Sequence, residues 1–151
     1  MSELKTVDEI LNFAIQMEQD AVDLYTGLAD QAKNEATKKT FLSYANEERG
    51  HKEKLLRVKG GKKLINADQK IQDLKISDYA NDVVLGDKPN YQDVLLFAIK
   101  QEKLAYRLYM DLAALAKDAD LKETMIALAN EEAKHKLRFE IEYDDYVLVE
   151  N

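Results

Sequence analysis

Both histidines of the chain occur in nearly the same octapeptide, ANEERGHK in the first half and ANEEAKHK in the second. In each copy a glutamate stands three residues before the histidine, as Glu48 with His51 and Glu132 with His135. Residues three apart share one face of an α-helix. Because histidine is the commonest metal ligand and proton carrier at neutral pH, each pair predicts a metal-binding or proton-transfer site on one helical face.

Two more glutamates, Glu18 and Glu102, interrupt otherwise apolar helical stripes, and each precedes the glutamate of an octapeptide by 30 residues. If a hairpin turn lies midway in each interval, the two glutamates are equally far from the turn and lie at one height. Two such hairpins facing each other would bring four carboxylates and two imidazoles into one layer. The predicted cluster comprises Glu18, Glu48, His51, Glu102, Glu132 and His135.

A cluster of four bare carboxylates would be costly, because ionised carboxylates repel one another strongly in a low-dielectric interior. Two divalent cations would neutralise the four negative charges, and the imidazoles would complete their coordination. Mixed oxygen and nitrogen ligands suit iron or manganese better than calcium or a structural zinc ion. The residues alone do not choose between iron and manganese.

The two histidine segments are part of a longer internal repeat. A shift of 84 positions aligns residues 13–52 with 97–136 without a gap and gives 19 identities in 40 pairs. The chain therefore consists of two copies of one unit. The apolar periodicity of each copy is typical of a pair of helices joined by a short turn.

In the first unit, Thr6 and Glu9 form a capping-box pattern that predicts a helix start. The apolar periodicity continues to a polar turn, where Asn34 is the predicted cap of the second helix. That helix is predicted over residues 35–59, because two glycines follow it.

In the second unit, Asn90 follows the only proline and is the predicted cap of the third helix, which extends to about Lys117. Asp120 and Glu123 form another capping-box pattern, which predicts the start of the fourth helix. This helix is predicted to end near Asp144 and to leave a short apolar tail.

The connection between the units, residues 60–89, is 30 residues long. Unstructured loops of this length are uncommon in compact domains, so the length needs a structural explanation. If a two-fold axis relates the hairpins, the connection must run the length of the bundle, which is ~38 Å for a helix of ~25 residues. One or two helical turns within it could pack along the way. The sequence thus predicts an all-α fold with residues 1–151 in one domain: a ferritin-like four-helix bundle with a long crossover between the second and third helices.

Composition narrows the classes of function. A net charge of −7 argues against nucleic acid as a partner, because such binding requires a basic face. The absence of cysteine excludes disulfides, zinc fingers and cysteine-bound iron–sulfur clusters. No apolar run approaches the ~20 residues of a membrane span, and the N-terminal segment lacks a signal-peptide core. We therefore expect a cytoplasmic protein that binds neither nucleic acid nor membrane.

The predicted ligand set, with two stripe-interrupting glutamates and two Glu-x-x-His motifs in register, resembles that of the ferritin-like di-iron carboxylate proteins. Within that superfamily it is most similar to rubrerythrin, over about residues 7–143. The resemblance implies two iron ions bridged by Glu48 and Glu132. It also implies reduction of hydrogen peroxide or dioxygen and a role in protection against oxidative stress.

The chain departs from the rubrerythrin pattern at two points, and both affect the predicted function. The chain has no cysteine for a rubredoxin module, so the resemblance implies an external electron donor such as a rubredoxin or a reductase. Rubrerythrins also usually carry an additional glutamate at the position of Ala105, which Ala21 mirrors in the first unit. Peroxide reduction is therefore less firmly implied than metal binding. Members of the family often dimerise, and a homodimer is expected here.

Two further repeated pairs flank the ligand positions. Tyr25 and Tyr109 each lie seven residues after a stripe-interrupting glutamate, on the same helical face. Their hydroxyls could hydrogen-bond a ligand carboxylate or supply a redox-active phenol, although core tyrosines satisfied elsewhere fit the same pattern. Glu47 and Glu131 directly precede the ligand glutamates and could accept the second N–H of a metal-bound histidine. A surface salt bridge is the alternative for this pair.

Two other functions fit the same ligand set. One is iron binding or storage without catalytic turnover, which in cage-forming proteins requires a large fixed assembly. The other is a structural role, in which the ions chiefly relieve carboxylate repulsion and stabilise the bundle. The oligomeric state and the response of the bound metal to oxidants distinguish these functions.

Overall fold

The computed structural model describes residues 7–61, 75–116 and 118–150 and forms a bundle of four long helices. These helices are α1 (Val7–Gln31), α2 (Glu35–Gly61), α3 (Tyr91–Leu115) and α4 (Ala119–Glu150). The predicted all-α fold class and the two helical hairpins are confirmed. None of the helices in these described ranges is long and apolar enough to cross a membrane.

The second helix of each hairpin begins at an Asn or Asp cap, and the two caps are equivalent in the repeat. The Asn34 side-chain oxygen accepts a hydrogen bond from the Thr37 N–H at 2.8 Å, as predicted. The Asp118 carboxylate accepts one from the Asp120 N–H at 2.9 Å. The predicted capping box at Asp120 and Glu123 is therefore wrong, and α4 starts earlier. The repeat itself was the better signal, because it aligns Asp118 with Asn34.

Asn90 caps α3 as predicted, because its side-chain oxygen accepts a hydrogen bond from the Asp93 N–H at 2.8 Å. Its repeat counterpart, Thr6, lies outside the described residues. We expect Asn90→Ala to lower the free energy of unfolding by about 1 kcal/mol in urea titrations, since the N–H loses its partner. Asn90→Ser, which can still cap the helix, is the control. Equal losses in the two variants would contradict the capping role.

Helix α4 continues beyond its predicted end near Asp144 and includes the segment predicted as a tail. The extension packs against the bundle, since the rings of Tyr146 and Tyr91 lie 5.1 Å apart. Arg138 and Glu142 also form an ion pair at 3.9 Å one helical turn apart. The predicted end was wrong because the second unit contains no glycine or proline that would stop a helix.

Two apolar clusters fill the bundle, one towards each end. The first joins the N-terminal half of α1 to the C-terminal half of α3 and includes Leu11 and Leu108. The second joins the opposite ends of the same two helices and includes Leu28 and Leu95. Helices α1 and α3 are therefore antiparallel, as expected for two hairpins related by a two-fold axis. The clusters leave a layer at mid-height that is occupied by polar side chains.

The described part of the crossover is held against α3. It contains a 3₁₀ turn, Ile76–Tyr79, and the hydroxyl of Tyr79 donates a hydrogen bond to Asp111 at 2.6 Å. The Asn81 side chain then donates to the Gln101 side-chain oxygen at 3.1 Å. The predicted helical turn in the connection is therefore confirmed, and these bonds fasten the connection beside the helix that follows it.

Candidate metal centre

The six ligand positions predicted from the sequence come together in the polar layer between the two apolar clusters. Every helix contributes, with Glu18 from α1, Glu48 and His51 from α2, Glu102 from α3, and Glu132 and His135 from α4. All six residues are buried, and His51, the most exposed of them, retains only 5% of its accessible surface. The centroids of the two imidazole rings lie 6.3 Å apart.

Each imidazole directs its Nδ1 atom at carboxylates of both hairpins. The His51 Nδ1 atom lies 2.9 Å from Glu132 Oε1 and 3.6 Å from Glu18 Oε2. The His135 Nδ1 atom lies 2.8 Å from Glu48 Oε1, in the opposite hairpin. The closest carboxylate to each ring therefore comes from the other repeat, and the site exists only when the two hairpins pack together.

The ligand atoms form two overlapping groups, and within each group all of them lie within 4.8 Å of one another. One group is Glu18, Glu48, His51 and Glu132, and the other is Glu48, Glu102, Glu132 and His135. Glu48 and Glu132 belong to both groups. They therefore occupy the positions at which carboxylates would bridge a pair of metal ions.

Seven buried atoms of the cluster lack a hydrogen-bond partner among the described residues. They are Glu18 Oε2, both carboxylate oxygens of Glu48, His51 Nδ1, Glu102 Oε2, Glu132 Oε1 and His135 Nδ1. Even the His51 and Glu132 atoms, 2.9 Å apart, do not meet in hydrogen-bond geometry. Because buried polar atoms are nearly always paired, seven unpaired oxygen and nitrogen ligands in one layer fit a pair of divalent cations.

Without cations the layer is electrostatically unfavourable. Burial, followed by repulsion from neighbouring carboxylates, raises the pKa of Glu48, Glu102 and Glu132 well above the ordinary value. These three side chains therefore resist ionisation in the metal-free protein. Cations would remove this penalty, because they favour the charged form of each carboxylate.

Glu18 and His51 behave differently from the other three carboxylates. Burial opposes ionisation of Glu18, but contacts with Glu48 and His51 outweigh it and lower the Glu18 pKa. Burial also opposes protonation of His51, yet the surrounding carboxylates, led by Glu132, raise the His51 pKa to about 12. In the metal-free layer, the charged forms of Glu18 and His51 therefore stabilise each other at 3.6 Å, and bound cations would replace this interaction.

Tyr25 and Tyr109 are equivalent in the repeat but have different surroundings. The Tyr109 hydroxyl donates a hydrogen bond to the Glu18 carboxylate in the other hairpin. The Tyr25 hydroxyl is buried and has no hydrogen-bond partner among the described residues. The Tyr25 ring packs against the Phe139 ring, and their centroids lie 4.8 Å apart. The expected hydrogen bond to a ligand carboxylate is therefore present for Tyr109 and absent for Tyr25.

Glu47 and Glu131 are also placed unequally. Glu47 Oε2 lies 3.3 Å from His135 Nε2, the ring nitrogen that faces away from the ligand layer. Glu131 lies on the same side, because it, Glu47 and His135 offer ligand atoms within 4.8 Å of one another, and it also forms an ion pair with Lys134 at 3.7 Å. In the described part of the chain, no carboxylate occupies the equivalent position behind His51.

Tyr44 contacts the site, although the sequence did not lead us to predict it as a site residue. Its ring stacks on the His135 ring, with centroids 4.1 Å apart and 28° between the planes. The missed signal was a difference between the repeats, since Tyr44 aligns with Leu128 and Phe139 aligns with Leu55. Identities between the units revealed the ligands, whereas Tyr44 and Phe139 occur where the units differ.

Two alanines discussed from the sequence and one neighbouring tyrosine add nothing to the ligand groups. Ala105, at the position of the additional glutamate of rubrerythrins, and its repeat counterpart Ala21 are both buried among apolar side chains. Tyr106, one turn after Glu102, is 38% exposed and therefore faces away from the layer. The centre thus has the six residues of the repeat as its candidate ligands.

Comparison with known proteins agrees with this architecture. The family model for rubrerythrin matches residues 9–143. A hypothetical protein from Pyrococcus furiosus has a similar structure, with a TM-score of 0.71 and 23% identity over 92% of this chain and 89% of that chain. A Thermotoga maritima protein, for which a ferritin-like diiron-carboxylate assignment has been put forward, gives a TM-score of 0.72 and 24% identity over 95% of this chain and 98% of that chain. At these identities the two structures show a shared fold. No curated protein sequence matches significantly.

Proposed function

The chain belongs to the rubrerythrin family, and on that premise we propose that it is a di-iron carboxylate protein that reduces hydrogen peroxide or dioxygen. Manganese is compatible with the same ligands. The proposed ligands are the six buried side chains at mid-height of the bundle, with Glu48 and Glu132 shared by the two ions. The observation that carries the proposal is the convergence of seven unpaired buried oxygen and nitrogen atoms in this layer.

When bound, an iron pair would supply two electrons and open coordination positions for cleavage of an O–O bond. The protein has to exclude bulk water and deliver protons. The apolar clusters on both sides of the layer provide the first of these functions. For the second, the Tyr109 hydroxyl is hydrogen-bonded to Glu18, so a proton can pass between them as the charge on the carboxylate changes.

The electrons are proposed to come from outside these 151 residues, because they contain no cysteine to hold an electron-transfer iron. A rubredoxin or a reductase is the proposed donor. We further propose that the protein acts as a homodimer in the cytoplasm and protects the cell against oxidative stress.

Stopped-flow oxidation tests the choice of oxidant. We expect the anaerobically reduced, iron-loaded protein to be oxidised faster by hydrogen peroxide than by dioxygen at equal concentrations, as followed by its near-ultraviolet absorbance. Iron-free protein mixed with the same oxidants is the control and should give no signal. Comparable or slower oxidation by peroxide would remove the peroxidase assignment.

Gel filtration of the same sample separates the proposed function from iron storage. A dimer that turns over repeatedly with a chemical reductant supports catalysis. A closed shell of a dozen or more subunits that accumulates iron would support storage instead.

A further inference from the structure

We propose that the two metal positions have unequal affinities and that the position beside His135 takes the first ion. This inference rests on the proposed di-metal function. It treats the centre as two halves, the His51 half (Glu18 and His51) and the His135 half (Glu102 and His135). Both halves share the glutamates of the two octapeptides.

The repeat makes equal halves the default expectation, because the ligands of the two units are identical. Any difference must therefore come from the residues behind the ligands. Three of the aligned positions that have an aromatic residue in one unit and an aliphatic residue in the other place the aromatic residue in the apolar cluster on the His135 side. The pairs are Phe41 with Met125, Tyr44 with Leu128, and Phe139 with Leu55.

Three contacts hold the His135 ring in one orientation. Tyr44 stacks on its face at 4.1 Å between centroids, and Tyr25 meets it edge-on at 6.1 Å. Glu47 Oε2 lies 3.3 Å from Nε2. When Nε2 donates its proton to Glu47, the Nδ1 lone pair is directed into the ligand layer.

Such a carboxylate behind a metal-binding histidine fixes the tautomer, orients the ring and makes the ligand nitrogen more basic. Stacking against Tyr44 removes rotational freedom that metal binding would otherwise have to restrict. The His135 half is therefore organised for binding before any ion arrives.

The His51 half lacks both forms of support. Among the described residues, the only aromatic ring in contact with His51 is that of His135, at 6.3 Å. The residues aligned with Tyr44 and Phe139 are leucines, which pack without fixing a ring plane. His51 is thus oriented only by the carboxylates of the ligand layer itself, at 2.9 Å from Glu132 and 3.6 Å from Glu18.

The terminal carboxylates, Glu18 and Glu102, also differ in a way that favours the His135 half. Glu18 in the His51 half accepts a hydrogen bond from Tyr109, which withdraws negative charge from one of its oxygens. In the His135 half, the Tyr25 hydroxyl makes no such bond, whereas the Oε2 atom lacks a hydrogen-bond partner in both Glu102 and Glu18 among the described residues. With both carboxylates ionised in the loaded centre, Glu102 therefore offers an ion more negative charge than Glu18 does.

Anaerobic titration of the metal-free protein, with all 151 residues present, with Co²⁺ tests the inference. Calorimetry and visible absorption follow the binding. We expect two binding steps with dissociation constants about tenfold or more apart, the difference that second-layer partners typically make. A single step with two equivalent ions would overturn it.

A matched pair of ligand variants assigns the steps to the halves. His135→Gln is expected to remove the tight step, whereas His51→Gln is expected to leave it within a factor of about three of the wild-type value. The reverse result, or equal loss from both variants, would overturn the assignment. Circular dichroism before titration identifies a variant that has not folded.

Substitutions of Tyr44, which stacks on His135, test the cause of the unequal affinities. We expect Tyr44→Leu, which copies the other unit, to weaken the tight step by about 10-fold, and Tyr44→Phe, which keeps the stacked ring, to retain it. Tyr106→Leu is the control for removing a tyrosine at an exposed site. A tight step that persists in Tyr44→Leu would overturn the role of stacking.

The outcomes separate this inference from the proposed function. Equal sites in a protein that still reduces peroxide or dioxygen would overturn only the inequality. Stepwise Co²⁺ binding in a protein whose iron form is inert to both oxidants would overturn only the catalytic function. Absence of any binding would overturn both.

Discussion

Replacing Glu48 by glutamine is expected to prevent binding of the metal pair and, at pH 8, to make the metal-free protein more stable. Glu48 belongs to both ligand groups, and its Oε1 atom lies 2.8 Å from His135 Nδ1. Losing a shared ligand should cost more than losing a second-layer partner, so affinity should fall by at least about 100-fold. Calorimetric Co²⁺ titration measures this loss.

Glu48→Gln is expected to raise the stability of the metal-free protein although it lowers metal affinity, because the buried carboxylate is unfavourable without cations. Burial and the neighbouring Glu18 raise the pKa of Glu48 well above its ordinary value. At pH 8 the unfolded chain ionises this group freely, whereas the folded metal-free protein does so at a cost. Glutamine removes that cost, and we expect a gain on the order of 1 kcal/mol in urea unfolding.

Glu53→Gln is the matched control, because Glu53 lies on the exposed face of the same helix. It should change neither metal affinity nor stability by more than ~0.5 kcal/mol. If Glu48→Gln instead destabilised the metal-free protein and left Co²⁺ binding intact, the layer would be a structural hydrogen-bond network and the metal-centre proposal would fail.

Removing the metal is expected to make stability fall with increasing pH. Glu48, Glu102 and Glu132 have raised pKa values in the folded protein. Above the ordinary glutamate pKa they retain protons that the unfolded chain has released, so their contribution is greatest at low pH and is lost as pH rises through the folded values. Each retained proton gives a slope of about 1.4 kcal/mol per pH unit.

Of the other two proposed ligands with shifted pKa values, His51 acts in the same direction. Its pKa is raised to about 12, so its contribution is complete below the ordinary histidine value of 6.5 and declines above it. Glu18 acts oppositely, because its pKa is lowered and its contribution is lost only as pH falls below about 4.5. Between about pH 5 and 9 the metal-free protein should therefore lose stability steadily.

The metal-loaded protein should not show this decline. Metal binding requires deprotonated ligands and tightens as pH rises. At 100 times the dissociation constant, an ion adds about 2.7 kcal/mol to the free energy of unfolding. Thermal unfolding at pH 5, 7 and 9, with metal and with a chelator, measures both slopes. Parallel slopes in the two samples would show that the ions do not bind at these carboxylates.

Much of the fold and of the candidate ligand set can be predicted from the sequence alone, because both depend on local periodicity and on the repeat. A helix turns through a fixed angle per residue, so the three-residue spacing in Glu48-x-x-His51 places both side chains on one face. The 84-residue shift places the second copy in the same register. The caps at Asn34 and Asn90 are equally local, since each side chain bonds a backbone N–H three residues away.

The contacts across the hairpins were decided only by the tertiary structure. Register within a helix does not determine which faces of two hairpins meet. The sequence therefore indicated Glu47 and Glu131 as possible histidine partners without showing that Glu47 is the one that lies behind a ligand ring, and it did not predict that Tyr44 stacks on His135. The bond from Tyr109 to Glu18, and its absence at Tyr25, likewise depend on how aromatic and aliphatic side chains fill the two ends of the bundle. A repeated sequence thus specifies symmetric candidate ligands, whereas packing in three dimensions makes their surroundings unequal.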